Sequence, residues 1–273
     1  MPEVPMREVP MREVMVRAFA KLTLSLHITA TRADGFHEID ATMVSIDEPH
    51  DEVRIRTAAR TSLTVTGPFA AGVPADPSNL AWRAADACGA AVEIGLHKGI
   101  PSGAGLGGGS ADAAALLTAL HGDPAIATSL GADVPFCVQG GYARVRGIGG
   151  DLEPGETDAL AIVVATPNFG CSTAAVYRAW DALGGPRDEI NDLRAAAEHV
   201  EPRLVDFKRE VEAAAGAPAV LAGSGSSYAV VFRDPADAEG ARARVAAAIS
   251  GSVWLASTSP VGVMIAFDRE KRP

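Results

Sequence analysis

A run of glycines between a strand-like segment and a helix-like segment constrains this chain most. After Ile100 the sequence carries five glycines between Gly103 and Gly109, and an Ala/Leu-rich helix pattern follows from Ser110. Glycine permits positive φ angles and close backbone approach, and the first N–H groups of a helix have no intrahelical partner. The pattern is typical of an anion-binding loop with Ser110 as the helix N-cap. A tightly packed turn is the alternative.

The glycine run matches neither of the two common nucleotide-binding loops. The spacing of Gly103, Gly105 and Gly108 fits a dinucleotide fingerprint, but Pro101 intervenes after the strand. No acidic residue ends a second strand about 20 residues later, as that fingerprint requires. A P-loop needs a lysine after its last glycine, whereas Gly109 is followed directly by Ser110. A dinucleotide oxidoreductase is therefore disfavoured.

The charge balance excludes several classes of partner. The chain has 24 Lys+Arg against 34 Asp+Glu, a net charge of −10, which repels nucleic acid and anionic membranes. Its longest apolar run, Ala159–Ala165, is far shorter than the ~20 residues of a membrane-spanning helix. Three separated cysteines without a CxxC pair predict neither a disulfide framework nor a zinc site. We expect a cytoplasmic protein, monomeric or homodimeric, that binds a small molecule.

The order of strand and helix patterns predicts an α+β protein with two domains. A tandem repeat, Val-Pro-Met-Arg-Glu, opens the chain and predicts a disordered leader over residues 1–15. The glycine-rich stretch 147–155 divides the remainder into domains 16–150 and 151–273. Strands precede helices without strict βαβ alternation, which favours α+β over a doubly wound sheet.

Periodicity predicts the individual elements. The expected strands are Val16–Ile28, Ala41–Ile46, Asp51–Arg56, Ser62–Thr66, Ala91–Leu96, Leu160–Thr166, Ala219–Leu221, Tyr228–Phe232 and Val261–Phe267. The expected helices are Asn79–Cys88, Ser110–Leu120, Thr173–Leu183, Asp192–Glu198 and Ala236–Ala248.

Several segments together resemble one family of small-molecule kinases. Pro101–Ala115 resembles the phosphate loop of the GHMP kinases, in which a proline precedes spaced glycines and a Gly-Ser-Ser/Ala motif. Ala20–Leu24, Arg32–Glu38, Leu130–Phe136 and Asn191–Leu193 resemble the branch that phosphorylates the 2-hydroxyl of a cytidine diphosphate-linked methylerythritol in the non-mevalonate isoprenoid precursor pathway. The resemblance spans residues 16–267. It implies an N-terminal domain like domain 2 of ribosomal protein S5, a ferredoxin-like C-terminal domain, and the use of ATP and Mg²⁺.

The resemblance also implies a role for particular residues. Asp133 would be the catalytic base, with Lys21 orienting it and the acceptor hydroxyl. His37 would hydrogen-bond the cytosine, with Phe36 and Tyr177 flanking the ring. Without the resemblance, Asp133 fits a turn or helix cap, Lys21 a solvated strand end, and His37 a surface turn.

Two further sets of residues follow from the same resemblance. The ATP- and phosphate-binding set is Asn79, Leu80, Lys98, Pro101, Gly103, Gly105, Gly107, Gly108, Gly109 and Ser110, with Ser110 also a candidate Mg²⁺ ligand. The substrate-binding set is Thr23, Phe36, His37, Tyr177, Gly223 and Ser224. Asn79 could equally be only the cap of its helix, and Gly223–Ser227 only a hairpin turn.

The chain departs from this branch at three places. Thr23 stands where an asparagine is usual, Phe36 stands where tyrosine is common, and segment 121–129 is shorter than in relatives. Two alternatives therefore stay open: a GHMP kinase of another small alcohol, of the homoserine or mevalonate type, and a catalytically silent nucleotide-binding relative.

Overall fold

The computed structural model describes residues 11–271 of the chain, with side chains described from residue 13 to residue 267. The strands are β1 (Met11–Thr31), β2 (His37–Thr57), β3 (Ser62–Thr66), β4 (Val92–His97), β5 (Tyr142–Gly147), β6 (Asp151–Gly155), β7 (Ala161–Pro167), β8 (Val220–Leu221), β9 (Tyr228–Phe232), β10 (Gly251–Ser259) and β11 (Val263–Lys271). The helices are α1 (Leu80–Ala87), α2 (Gly108–Ala119), α3 (Ala127–Leu130), α4 (Val134–Gln139), α5 (Thr173–Ala182), α6 (Arg194–Val200), α7 (Arg203–Ala215) and α8 (Pro235–Ala248).

The first strand begins earlier than the sequence predicts. Residues 11–15 belong to β1, so this part of the predicted leader is wrong, while residues 1–10 lie outside the described residues. The extra residues pair with β11, where Met15 lies opposite Phe267. Because that partner comes from the far end of the chain, no local pattern could indicate it.

The second strand joins two segments that the sequence predicts as separate. β2 runs through 21 residues and pairs with β1 on both sides of Pro49. The register shifts between Ile46 and His50, so residues 47–49 form a bulge. A bulge accommodates proline because proline has no N–H for the ladder.

The strand pairing confirms the α+β class but does not follow the predicted domain boundary. The main path of the sheet runs β11-β1-β2-β10-β7-β9-β8, with β4 and β5 also paired to β2. β6 forms a hairpin with β5, so a boundary at 150/151 would divide that hairpin. β11 returns to pair with β1 of the first half. Strand pairing, and not the glycine-rich stretch, therefore decides which half each segment joins.

Helix α2 lies in the middle of the first half and is buried on every side. Its residues from Ala111 to Leu117 are all 2% exposed or less, including Asp112. The helix begins at Gly108 rather than at Ser110, and its N-cap is Gly107, which adopts a left-handed conformation with φ of 71°. Ser110 is therefore in the first turn, and its predicted N-cap role is wrong.

Helix α7 is absent from the predicted set although its sequence carries a helical pattern. Leu204, Phe207, Val211 and Ala215 are its buried residues, and they recur at helical spacing. These residues pack with α5, α6 and α8 in a second hydrophobic cluster, apart from the cluster around α2. Within residues 11–271, no helix combines the length and the hydropathy needed to cross a bilayer.

We expect Gly140→Ala to destabilise the protein more than Gly184→Ala. Both glycines have positive φ, which alone costs an alanine about 1–2 kcal/mol. A Cβ at Gly140 would lie 1.8 Å from the backbone nitrogen of Gly262, whereas nothing lies within 4 Å at Gly184. Urea unfolding should give a loss of about 3 kcal/mol or more for Gly140→Ala. Equal losses would show that α4 and β11 need no such close approach.

Candidate active site

One cavity of about 820 Å³ brings together all the predicted site residues except Asn79 and Thr23. Those that line it are Lys21, Phe36, His37, Leu80, Lys98, Pro101, Gly103, Gly105, Gly107, Gly108, Gly109, Ser110, Asp133, Tyr177, Gly223 and Ser224. Asn79 instead caps α1, where its side-chain oxygen accepts the N–H of Ala81. Asn79 therefore acts as a helix cap in the structure, and nucleotide binding by Asn79 stays a prediction.

The glycine loop is shaped by close contacts that leave no room for side chains. A Cβ at Gly105 would lie 2.0 Å from the carbonyl oxygen of Ala222, and one at Gly107 would lie 2.7 Å from Cγ of Lys21. Both residues also have positive φ. The loop ends at the first turn of α2, whose leading N–H groups have no intrahelical partner and whose dipole is positive there. This geometry suits a phosphate group.

A second glycine loop, residues 222–227, lies directly against the first. The N–H groups of Ser226 and Ser227 donate to the carbonyl oxygens of Gly103 and Ala104 at 3.1 Å each. The loop connects the antiparallel strands β8 and β9, as its hairpin interpretation predicts. Gly223 and Ser224 line the cavity from that hairpin.

Asn191 holds the second loop in place, a role that sequence reasoning did not assign. Its buried side-chain amide donates to the carbonyl oxygens of Leu221 at 2.9 Å and Gly223 at 2.8 Å. In the sequence, only the family resemblance distinguishes the Asn-Asp-Leu segment 191–193. Nothing local to Asn191 identifies its partners, because they lie about thirty residues away along the chain.

Lys21 and Asp133 form an ion pair at the cavity wall. Nζ of Lys21 lies 3.2 Å from Oδ2 of Asp133 and donates to Oγ1 of Thr23 at 3.3 Å. Lys21 is buried, whereas 30% of the Asp133 side chain is exposed, so the carboxylate stays accessible. Asp133 directly precedes α4, but its side chain caps no N–H of that helix. Thr23 thus lies behind Lys21 rather than in the cavity wall.

The ammonium group of Lys98 is enclosed by two carboxylates. It forms ion pairs with Asp51 and, at 2.5 Å, with Asp112, and all three side chains are at least 97% buried. Asp51 also accepts the N–H groups of Gly99 at 2.7 Å and Ile100 at 2.9 Å. The network therefore ties the start of the glycine loop to α2. Direct contact of Lys98 with a phosphate stays a prediction.

Burial dominates the electrostatics of this network. Desolvation, opposed by Lys98 and reinforced by the charge of Asp51, raises the pKa of Asp112 to about 7. One of its carboxylate oxygens, Oδ1, has no hydrogen-bond partner among the described residues. Burial alone would lower the pKa of Lys98, but the two carboxylates hold that pKa above its ordinary value. Lys98 therefore keeps its positive charge.

Aromatic and polar side chains surround His37, which also lines the cavity. Its ring lies 4.9 Å from the ring centre of Tyr177 and meets Trp180 edge-on at 5.5 Å. Nε2 of His37 lies 2.8 Å from Oδ1 of Asp181. Phe36 is 60% exposed at the rim. Sequence reasoning missed Trp180 and Asp181, although their spacing from Tyr177 places all three on one helical face.

The chain is similar in sequence to known proteins over most of its length. Residues 79–141 match the family described as GHMP kinases N terminal domain. A protein of Paracoccus denitrificans named 4-diphosphocytidyl-2-C-methyl-D-erythritol kinase is 38% identical over 259 residues, 88% of this chain and 94% of the relative. A protein of the same name from Cutibacterium acnes is 37% identical, over 86% of this chain and 89% of the relative.

Solved structures show the same likeness in three dimensions. A crystal structure of 4-(cytidine 5'-diphospho)-2C-methyl-D-erythritol kinase matches with a TM-score of 0.72 and 30% identity, covering 90% of this chain and 99% of that protein. A homoserine kinase from Cytophaga hutchinsonii matches with a TM-score of 0.66 and 18% identity, covering 97% and 99%. At that identity, the second match shows the fold alone.

We expect Asp51→Ala to lower the free energy of unfolding by about 3–5 kcal/mol, because it leaves a buried ammonium short of one carboxylate. Asp40→Ala, on the same strand, is a matched control. Asp40 pairs with the half-exposed Arg144, a type of pair worth about 1 kcal/mol or less. Chemical denaturation measures both variants. Equal losses would contradict the role of the buried network.

We expect the stability of Asp112→Asn relative to the wild type to improve as pH rises from about 4 to about 7. Over this range the unfolded state releases the Asp112 proton near its ordinary pKa of about 3.9, whereas the folded state retains it because its pKa is about 7. The wild type therefore loses stability through this group as pH rises, and asparagine does not titrate. Urea unfolding across this range measures the difference in the free energy of unfolding between the variant and the wild type. A difference that does not change with pH would contradict the prediction.

Proposed function

Because this chain belongs to the GHMP kinases, and among them to the 4-diphosphocytidyl-2-C-methyl-D-erythritol kinase family, we propose that it phosphorylates the 2-hydroxyl of 4-diphosphocytidyl-2-C-methyl-D-erythritol with ATP. This reaction serves the non-mevalonate route to isoprenoid precursors. The observation that carries the proposal is the Lys21–Asp133 pair, which faces the glycine loop and shares one cavity with the His37 pocket.

Asp133 receives the proton of the acceptor hydroxyl. As that O–H bond breaks, the oxygen forms a bond to the γ-phosphorus of ATP, and the bond between this phosphorus and the leaving oxygen of ADP breaks. The carboxylate is suited to the task because it is partly exposed and caps no helix. Lys21, at 3.2 Å from that carboxylate, fixes its orientation and offsets negative charge at the transferring group.

The phosphates of ATP lie against backbone N–H groups rather than against a lysine-rich surface. The glycine loop and the first turn of α2 supply these donors, and the absence of side chains at Gly105 and Gly107 permits close approach. Leu80 and Pro101, which also line the cavity, offer apolar surface toward the nucleotide. A small nucleotide can therefore bind a chain with a net charge of −10.

The described residues fit a Mg²⁺ ion that arrives with ATP better than a resident metal. They contain no cluster of three or more His, Cys, Asp or Glu side chains able to hold an ion. Mg²⁺ commonly binds through one or two protein oxygens plus phosphates and water. The hydroxyl of Ser110, which lines the cavity, would be one of those oxygens. The ion supplies charge neutralisation on the phosphates when bound.

The pocket around His37 recognises the cytosine. Tyr177 and Phe36 offer aromatic faces on which a base can stack, and the ring nitrogen of His37 that is not paired with Asp181 offers a hydrogen bond. Phe36 preserves stacking where tyrosine is common in the family but offers no hydroxyl. A cytoplasmic location and a monomeric or homodimeric state stay predictions of the sequence.

An ATP-consumption assay that offers 4-diphosphocytidyl-2-C-methyl-D-erythritol beside homoserine and mevalonate tests the proposal. We expect turnover with the cytidyl substrate alone. Turnover with homoserine or mevalonate would identify another acceptor, and activity on none of the three would favour a silent relative. In each case the proposed function fails.

In the same assay, Asp133→Asn should lower kcat by about 10²–10⁴-fold, the usual range for loss of proton transfer at a positioned group. Lys21→Met should lower kcat by about 10²–10³-fold, because it removes a positive charge beside the transferring group. Asp158→Asn is the matched control, since Asp158 is exposed and outside the cavity. Circular dichroism establishes that each variant folds. Near-wild-type rates in a folded Asp133→Asn variant would contradict the role of Asp133.

A further inference from the structure

The cavity has fewer available cations than its basic residues suggest. Three side chains with permanent positive charge line it: Lys21, Lys98 and Arg178. Lys21 is paired with Asp133, and Lys98 is enclosed by Asp51 and Asp112. The charge of Lys98 is therefore already engaged by the two buried acidic groups that enclose it, and the charge of Lys21 is engaged by Asp133.

Arg178 differs from both lysines. Its side chain is exposed, and among the ion pairs and hydrogen bonds of the described residues its guanidinium has no carboxylate partner. It follows Tyr177 on α5, directly beside the aromatic group that packs on His37. An arginine with no carboxylate in reach keeps its donors available for a ligand.

The position of Arg178 along α5 matches the layout of the proposed substrate. At the start of the helix, Thr173 hydrogen-bonds Ser224 of the second glycine loop at 2.9 Å, and a Cβ at the adjacent Gly223 would lie 3.3 Å from Nζ of Lys21. Near its end, Asp181 contacts His37. These two contacts are eight residues apart, or about 12 Å along a helix, and Arg178 lies between them. A substrate with its base at His37 and its alcohol near Lys21 places its diphosphate in that middle stretch.

We propose that Arg178 binds the diphosphate group of the cytidine diphosphate-linked substrate, an inference that rests on the proposed function. The diphosphate brings two or more negative charges into a cavity where Asp133 and Asp181 already carry carboxylates. The guanidinium of Arg178 offsets one of these charges and can donate two parallel hydrogen bonds to phosphate oxygens. Arg178 therefore makes the site specific for a nucleoside diphosphate rather than for the nucleoside alone.

Arg178→Gln tests this with steady-state kinetics. The KM for the cytidyl substrate should rise about 10- to 100-fold, the range for loss of a hydrogen-bonded charge, with little change in the KM for ATP. Arg178→Lys should recover part of the loss. Arg83→Gln is the matched control, because Arg83 is also an exposed helix arginine but does not line the cavity. A rise in the KM for ATP instead would overturn the proposal.

Competition with CDP and with cytidine separates a diphosphate contact from a general change in the pocket. Inhibition by CDP should weaken in Arg178→Gln by about the same factor as the KM rises, while inhibition by cytidine should not change. Equal weakening of both inhibitors would overturn the proposal, because it would indicate a disturbed base pocket.

Calorimetric measurement of CDP and cytidine binding tests the role of Arg178 independently of the proposed catalytic activity. If the wild type does not phosphorylate the cytidyl substrate, the proposed function fails, and the ratio of CDP to cytidine affinity still decides the role of Arg178. A ratio that falls in Arg178→Gln supports the diphosphate contact. An unchanged ratio overturns it.

Discussion

Close packing between two glycine loops underlies the active-site geometry. The carbonyl oxygen of Ala222 occupies the space that a Cβ at Gly105 would need, and two N–H groups of the second loop donate into the first. The two loops come from different halves of the sheet. Their contact sets the distance between the α2 N-terminus and the walls of the cavity. A side chain at Gly105 would separate the halves at the point where the phosphates bind.

The groups that can bind an anion are set by the local environment of the cavity and not by the net charge of the chain. The chain has an excess of ten acidic groups, yet the described cavity offers backbone donors, a helix terminus and one arginine without a carboxylate partner. Lys98, a basic residue that the sequence suggests for the phosphates, ties strand to helix beneath the loop. The two acidic groups beside Lys98 matter for stability because all three side chains are buried, and an unpaired charge in a buried site costs several kcal/mol of desolvation.

Local patterns predicted those parts of the fold whose partners are near in sequence. The alternation of β1 and the Ala/Leu run of α2 appear in the structure with small changes at their ends. The pairing of β1 with β11 could not be predicted, because these strands are far apart in sequence. The pairing of β5 with β6 is a local hairpin, which the predicted boundary at 150/151 divides. Helix α7 was different, because its buried face was readable from spacing alone.

By itself the sequence determined that a glycine loop precedes a buried helix, and that Lys21, His37 and Asp133 belong to motifs of one kinase family. It did so because backbone conformation and motif spacing are local properties. Only the tertiary structure placed Lys21 3.2 Å from Asp133. It likewise enclosed Lys98 between carboxylates and left Arg178 without one. Ion pairs form between side chains that folding brings together, and their strength depends on how deeply they are buried. No single segment of sequence determines that burial, because the covering residues come from other parts of the chain.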